Sequence, residues 1–148
     1  MNEKRNIPAK LRRTVKARAR ELCEYCRSRE DYSTQSFCYE HILPRVAGGA
    51  TAAENLAYSC QGCNSHKATR IEAVDYLTDR RVKLFNPRQM SWREHFRWSE
   101  DFSEAVGITP IGRATVEALK LNRHGLVNLR RVLYAIGKHP PLETANEE

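Results

Sequence analysis

Residues 23–68 read CEYCRSREDYSTQSFCYEHILPRVAGGATAAENLAYSCQGCNSHKA, a stretch opened by Cys23-x-x-Cys26 and closed near its end by Cys60-x-x-Cys63. This spacing lets each pair of thiolates reach one tetrahedral ion, and 33 residues lie between the two pairs. Four thiolates fill the tetrahedron and leave no open position for water, so a zinc ion held by Cys23, Cys26, Cys60 and Cys63 is expected to be structural. Paired CxxC units in a chain whose start shows no export signal point to metal rather than to disulfides. Cys38 has no such partner and reads as a small packed side chain.

Between the pairs, the polar run 27–36 reads as a loop. FCYEHIL, rich in aromatic and branched residues and ended by Pro44, reads as a strand, and NLAYS (55–59) as a second. Gly48 and Gly49 mark the connection. From about Gly62 to Leu77 the pattern reads as a helix, with Ile71, Val74 and Leu77 on one face. The order is strand, loop, strand, helix, and the fold class is α+β.

The residues inside this frame have the chemistry of phosphodiester hydrolysis. A hard divalent cation with oxygen ligands neutralises a leaving oxygen, which suits the Glu40 carboxylate and the Asn64 side-chain oxygen. Neutral His41 can take a proton from attacking water. Lys67, one helical turn after Asn64, is positioned for a phosphate. Consecutive residues of a regular strand point to opposite faces, so Glu40 and His41 at one metal centre require a twist, a bulge or a bridging water.

With C-x2-C followed by EHILPRVAGGATAAENLAYSCQGCNSHKA, residues 23–69 resemble the HNH endonuclease family and its ββα-metal (His-Me finger) core. The resemblance implies that His41 is the general base, that Asn55 braces the loop carrying it, and that Asn64 fills the last motif position, where many members have histidine and some asparagine; His66 is the fallback. Members commonly carry aspartate where this chain has Glu40. The resemblance further implies a DNA endonuclease that leaves a 5′-phosphate and a 3′-hydroxyl, using magnesium or another divalent metal beside the structural zinc. The rival reading is a catalytically inactive, zinc-dependent nucleic-acid-binding module.

Outward from this core, the charge is strongly positive: +7 over 148 residues, with pI about 9.4, a balance that favours a polyanionic partner. Lys4, Arg5, Lys10, Arg12, Arg13, Lys16, Arg18 and Arg20 crowd the first twenty residues, where Pro8 and the stripe Leu11, Val15, Ala19 and Leu22 predict a helix over 8–22. Arg12, Arg13, Lys16 and Arg20, with Arg45, are candidate phosphate contacts on duplex DNA.

Toward the C-terminus, LFNPRQMSWREHFRWSEDF reads as a loop leading to a short helix or docking segment; Trp92, His95 and Phe96 at helical spacing suit core packing rather than base stacking. Thr109-Pro110 opens a predicted helix through PIGRATVEALKLN, and LVNLRRVLYAIG forms another, closed by Gly137 and stopped by Pro140 and Pro141. His124 and His139 read as surface residues, and the acidic LETANEE as a frayed end. The expected organisation is a nuclease core over 1–80 and a C-terminal extension over 81–148 packed on it, with a homodimer as one possible assembly. No apolar run is long enough to span a membrane, and the expected location is the cytoplasm.

Overall fold

The computed structural model describes residues 7–142 of the chain, which divides into two compact units, Met1–Ile71 and Glu72–Glu148. The acidic tail from Glu143 onward lies outside the described residues. Among the described residues no helix is long and apolar enough to cross a membrane. Among the described residues the two units hold five α-helices and three two-stranded antiparallel sheets, an α+β architecture.

The first unit begins with helix α1, Ala9–Arg18, which presses Val15 into the core. The stripe predicts four further helical residues, but the chain leaves the helix there and takes positive φ at Arg20 and Glu21. That reversal brings Leu22 into a bridge with Arg29 and delivers Cys23 to the first knuckle. The Arg18 guanidinium donates to the carbonyls of Ala53 (2.6 Å) and Leu56 (2.5 Å), tying α1 to the start of the second strand.

Strands β1 (Cys38–His41) and β2 (Leu56–Ser59) pair antiparallel, and helix α2 (Gln61–Lys67) follows directly, so the order is strand, strand, helix. Leu56, Ala57 and Tyr58 are buried because both faces of β2 are covered. On its far edge, the Tyr58 backbone bonds to the first knuckle: its carbonyl accepts from the Glu24 amide (2.9 Å), and its amide donates to the Glu24 side-chain carboxylate (2.8 Å).

The helical reading of 62–77 holds only as far as Lys67. Ala68 takes a positive φ of 50°, which stops the helix, and Glu72–Asp75 forms strand β3. Ile71, Val74 and Leu77, read as one face of that helix, lie outside it and are exposed.

In the second unit, β3 pairs with β4 (Arg80–Lys83), a one-turn helix α3 (Trp92–His95) leads into the hairpin β5 (Phe96–Trp98) and β6 (Ala105–Gly107), and helices α4 (Pro110–Leu119) and α5 (His124–Ala135) follow. Thr109 caps α4 as its position before Pro110 predicts, its hydroxyl accepting from the Gly112 amide at 3.0 Å. Buried Asp75 accepts a bidentate pair of bonds from Arg113 of α4, at 2.9 and 3.0 Å, which joins the first hairpin to this unit. Trp92 and Phe96 stack with centroids 5.0 Å apart, and Phe85 meets Phe96 edge-on at 5.2 Å, so the aromatic run forms the core of this unit. His139, read from sequence as a surface residue, is buried and bonds through Nε2 to the Phe102 carbonyl at 2.8 Å, whereas His124 is exposed.

Candidate active site and metal centre

The four cysteine sulfurs of Cys23, Cys26, Cys60 and Cys63 lie within 4.8 Å of one another, all buried, with Cys26 and Cys60 Sγ 3.7 Å apart. A tetrahedral zinc with bonds of about 2.3 Å requires sulfur pairs about 3.8 Å apart, so the cluster has the dimensions of a four-thiolate site. Each knuckle aims a backbone amide at its own first sulfur: Cys26 N to Cys23 Sγ at 3.5 Å, and Cys63 N to Cys60 Sγ at 3.4 Å. Burial holds the Cys23 thiol well above its usual range, and a cation at the centre of the cluster reverses that penalty. Cys60 is also the N-cap of α2, so the second knuckle sets the start of the helix that carries Asn64.

From this staple, the β1–β2 hairpin projects a long loop whose shape is determined by Asn55. Its Oδ1 accepts from the Leu43 amide (2.9 Å), and its Nδ2 donates to the carbonyls of Leu43 (3.0 Å) and Ala50 (2.9 Å). The brace needs a glycine at 49, because a Cβ there would meet the Leu43 oxygen at 1.7 Å and Asn55 Nδ2 at 2.8 Å. Gly48 supplies the left-handed turn beside it, with φ 91°.

A pocket of about 320 Å³ opens beside this loop, bordered by Glu40, His41, Arg45, Val46, Asn64 and Thr69 among others. His41 Nε2 lies 2.9 Å from Thr51 Oγ1. The Asn64 side chain makes no hydrogen bond to the described residues, which leaves its oxygen available to a ligand. Arg45 is exposed at the rim. His66 does not border the pocket.

Glu40 and Lys67 show the largest difference from the sequence reading. The β1 register with β2 is unbroken, so no bulge lies at Glu40 and His41, and the two side chains take different partners: His41 meets Thr51, and Glu40 meets Lys67 and Tyr25. Glu40 is 4% exposed, and its carboxylate meets Lys67 Nζ at 2.5 Å and accepts from the Tyr25 hydroxyl at 2.7 Å. Burial pushes the Glu40 carboxyl above its usual range, with the Lys67 charge and the Tyr25 hydroxyl pulling the other way. Lys67, read as a phosphate contact, is 1% exposed; its ammonium is taken by Glu40 and by the Ile42 carbonyl at 3.0 Å. Tyr25 and Thr51 carry no sequence signal for these roles, since one lies inside a CxxC spacer and the other in an unpatterned loop.

Among the candidate phosphate contacts, Arg13 and Arg20 are exposed and Arg12 is half-buried on α1 or just after it. Lys16 is partly spent on Glu30 (3.5 Å) and Glu21 (3.7 Å).

A four-thiolate cluster of zinc dimensions beside a strand–strand–helix unit and a polar pocket defines a small metal-binding α+β unit. Residues 23–74 match the family model of HNH endonucleases, a little over a third of the chain, and the resemblance read from the motif is thereby shown. No curated protein and no solved structure matches the chain. The family match points to nuclease activity on a nucleic acid.

Proposed function

We propose that this protein is a metal-dependent DNA endonuclease acting on duplex DNA, with His41 as the general base. The reading rests on one observation: Glu40, His41, Arg45 and Asn64 border a single pocket beside a loop braced by Asn55. His41 takes the proton of the attacking water as its oxygen bonds to phosphorus and the bond from phosphorus to the 3′ oxygen breaks. Arg45 offers its charge to a phosphate at the rim. The residues present fit a hard cation: Asn64 has a free side-chain oxygen, and each Glu40 oxygen keeps a lone pair beyond those taken by Lys67 and Tyr25. Magnesium or a related ion held there would neutralise charge on the leaving oxygen. The four cysteines hold a structural zinc.

A second reading, an inactive zinc-dependent nucleic-acid-binding module, is favoured by the Glu40–Lys67 pair, which gives the carboxylate a cation from the chain itself. Nicking of supercoiled plasmid with magnesium, manganese or nickel separates the two. We expect wild type to cut and His41→Ala to lose at least a hundredfold in rate, in line with the contribution of about 10²–10⁴ from a general base. Equal cutting by both removes His41 from the mechanism; duplex binding without cutting by wild type supports the binding module.

A further inference from the structure

The β3–β4 hairpin carries three exposed cations, Arg80, Arg81 and Lys83, with Glu72 the acid that faces Lys83 across the strands. Its register, with Glu72 opposite Lys83 and Val74 opposite Arg81, puts those four side chains on one face, and Asp75 leaves from the other face toward Arg113. Arg80, Arg81 and Lys83 are all exposed, and none of their charged groups makes a hydrogen bond or ion pair with the described residues. Lys16 in the first unit differs, since Glu21 and Glu30 share its charge. Beside these cations Val74, Tyr76 and Leu77 are 45%, 66% and 68% exposed. Arg81 and Lys83 are thus two free cations on the outward face of a hairpin pinned from behind by a buried bidentate ion pair, while Arg80 shares the register face of Asp75.

We propose that this hairpin face is a second nucleic-acid contact, in which the β3–β4 ribbon lies against a DNA duplex with Arg81 and Lys83 on phosphates. The choice of polyanion rests on the nuclease reading. Phosphate contacts of this kind position a duplex without reading its sequence, and a two-stranded ribbon has dimensions that the major groove admits. Only Arg70 and Ile71 separate Thr69, which borders the pocket, from Glu72 at the start of the ribbon.

The test is binding of the full chain to a fluorescent DNA duplex over a series of salt concentrations, without added divalent metal so that nothing is cut. Loss of two phosphate contacts in Arg81→Gln/Lys83→Gln should flatten the slope of log K against log salt by about 1.8, at about 0.9 per contact. The charge-conserving Arg81→Lys/Lys83→Arg should keep the wild-type slope, an outcome that a purely structural role does not produce. Identical slopes and affinities for wild type and the glutamine variant overturn the inference. A change in sedimentation at unchanged DNA affinity also overturns it and assigns the face to a second copy. Loss of binding to phosphatidylserine vesicles at unchanged DNA affinity does the same for an anionic membrane. Plasmid nicking by wild type separates this inference from the nuclease reading: cutting with ribbon-independent binding removes only the ribbon, and ribbon-dependent binding without cutting removes only the nuclease.

Discussion

At Lys67 a buried ammonium faces a buried carboxylate, and neither has water to fall back on. Removing one member of such a pair leaves the other charged and uncompensated, at a cost of about 3–5 kcal/mol. Lys67→Met is expected to lower the stability of the first unit by that amount, measured by urea denaturation. Glu40→Gln/Lys67→Met should recover most of the loss, because it removes both charges together. A single variant as stable as wild type would show that Lys67 does not hold the charge of Glu40. The same pair constrains the proposed metal site, since Glu40 enters it already bound to a cation and Asn64 is the freer ligand. Asn55 lies at the other extreme: its three bonds to the loop backbone use both amide hydrogens and one lone pair of Oδ1, so its role is to shape the loop.

Among the elements, the β3–β4 hairpin depends on one ion pair with α4. Arg113, acting against burial and assisted by Thr78 and the Leu77 amide, holds the Asp75 carboxyl well below the usual carboxylate range. An unfolded aspartate titrates at about 3.9. Because the folded value is depressed, the native state binds fewer protons than the unfolded chain in this range. The stabilisation is therefore fully present above the unfolded value and is lost as pH falls through about 4 toward the folded one. Thermal melts of wild type should drop along that acid limb, and Asp75→Asn should flatten it; parallel limbs would mean that Asp75 does not contribute. This hairpin is also where the helical reading of 62–77 failed. Ile71, Val74 and Leu77 do recur at helical intervals, but in the strand it is Asp75 that turns inward while Glu72 and Val74 face out, an arrangement fixed by Arg113 and not by apolar spacing. The cap at Thr109-Pro110 was legible because its chemistry is local.

For the molecule as a whole, the metal and the division into two units predict a stepwise response to metal loss. A structural zinc contributes about 10 kcal/mol or more of folding free energy, more than a domain of this size has to spare. Stripping metal with a chelator should unfold the first unit and abolish any cutting, while the aromatic core of the second, built on Phe85, Trp92 and Phe96, keeps its tryptophan signal. Measuring zinc content alongside circular dichroism and tryptophan fluorescence checks this; simultaneous loss of both signals would show one cooperative unit. From the sequence alone came the thiolate pairs, the strand–strand–helix order between and after them, the glycine-bearing loop and the set Glu40, His41, Asn55 and Asn64, all carried by residue type and short spacing. Only the tertiary structure decided that Lys67 turns inward to Glu40, that Tyr25 supplies a bond to that carboxylate, that Asp75 and Arg113 meet across 38 positions, and that Arg80, Arg81 and Lys83 stay free. The physical reason is that periodicity and capping act over a few residues, whereas the fate of a charge depends on which distant element covers it and whether that element brings an opposite charge.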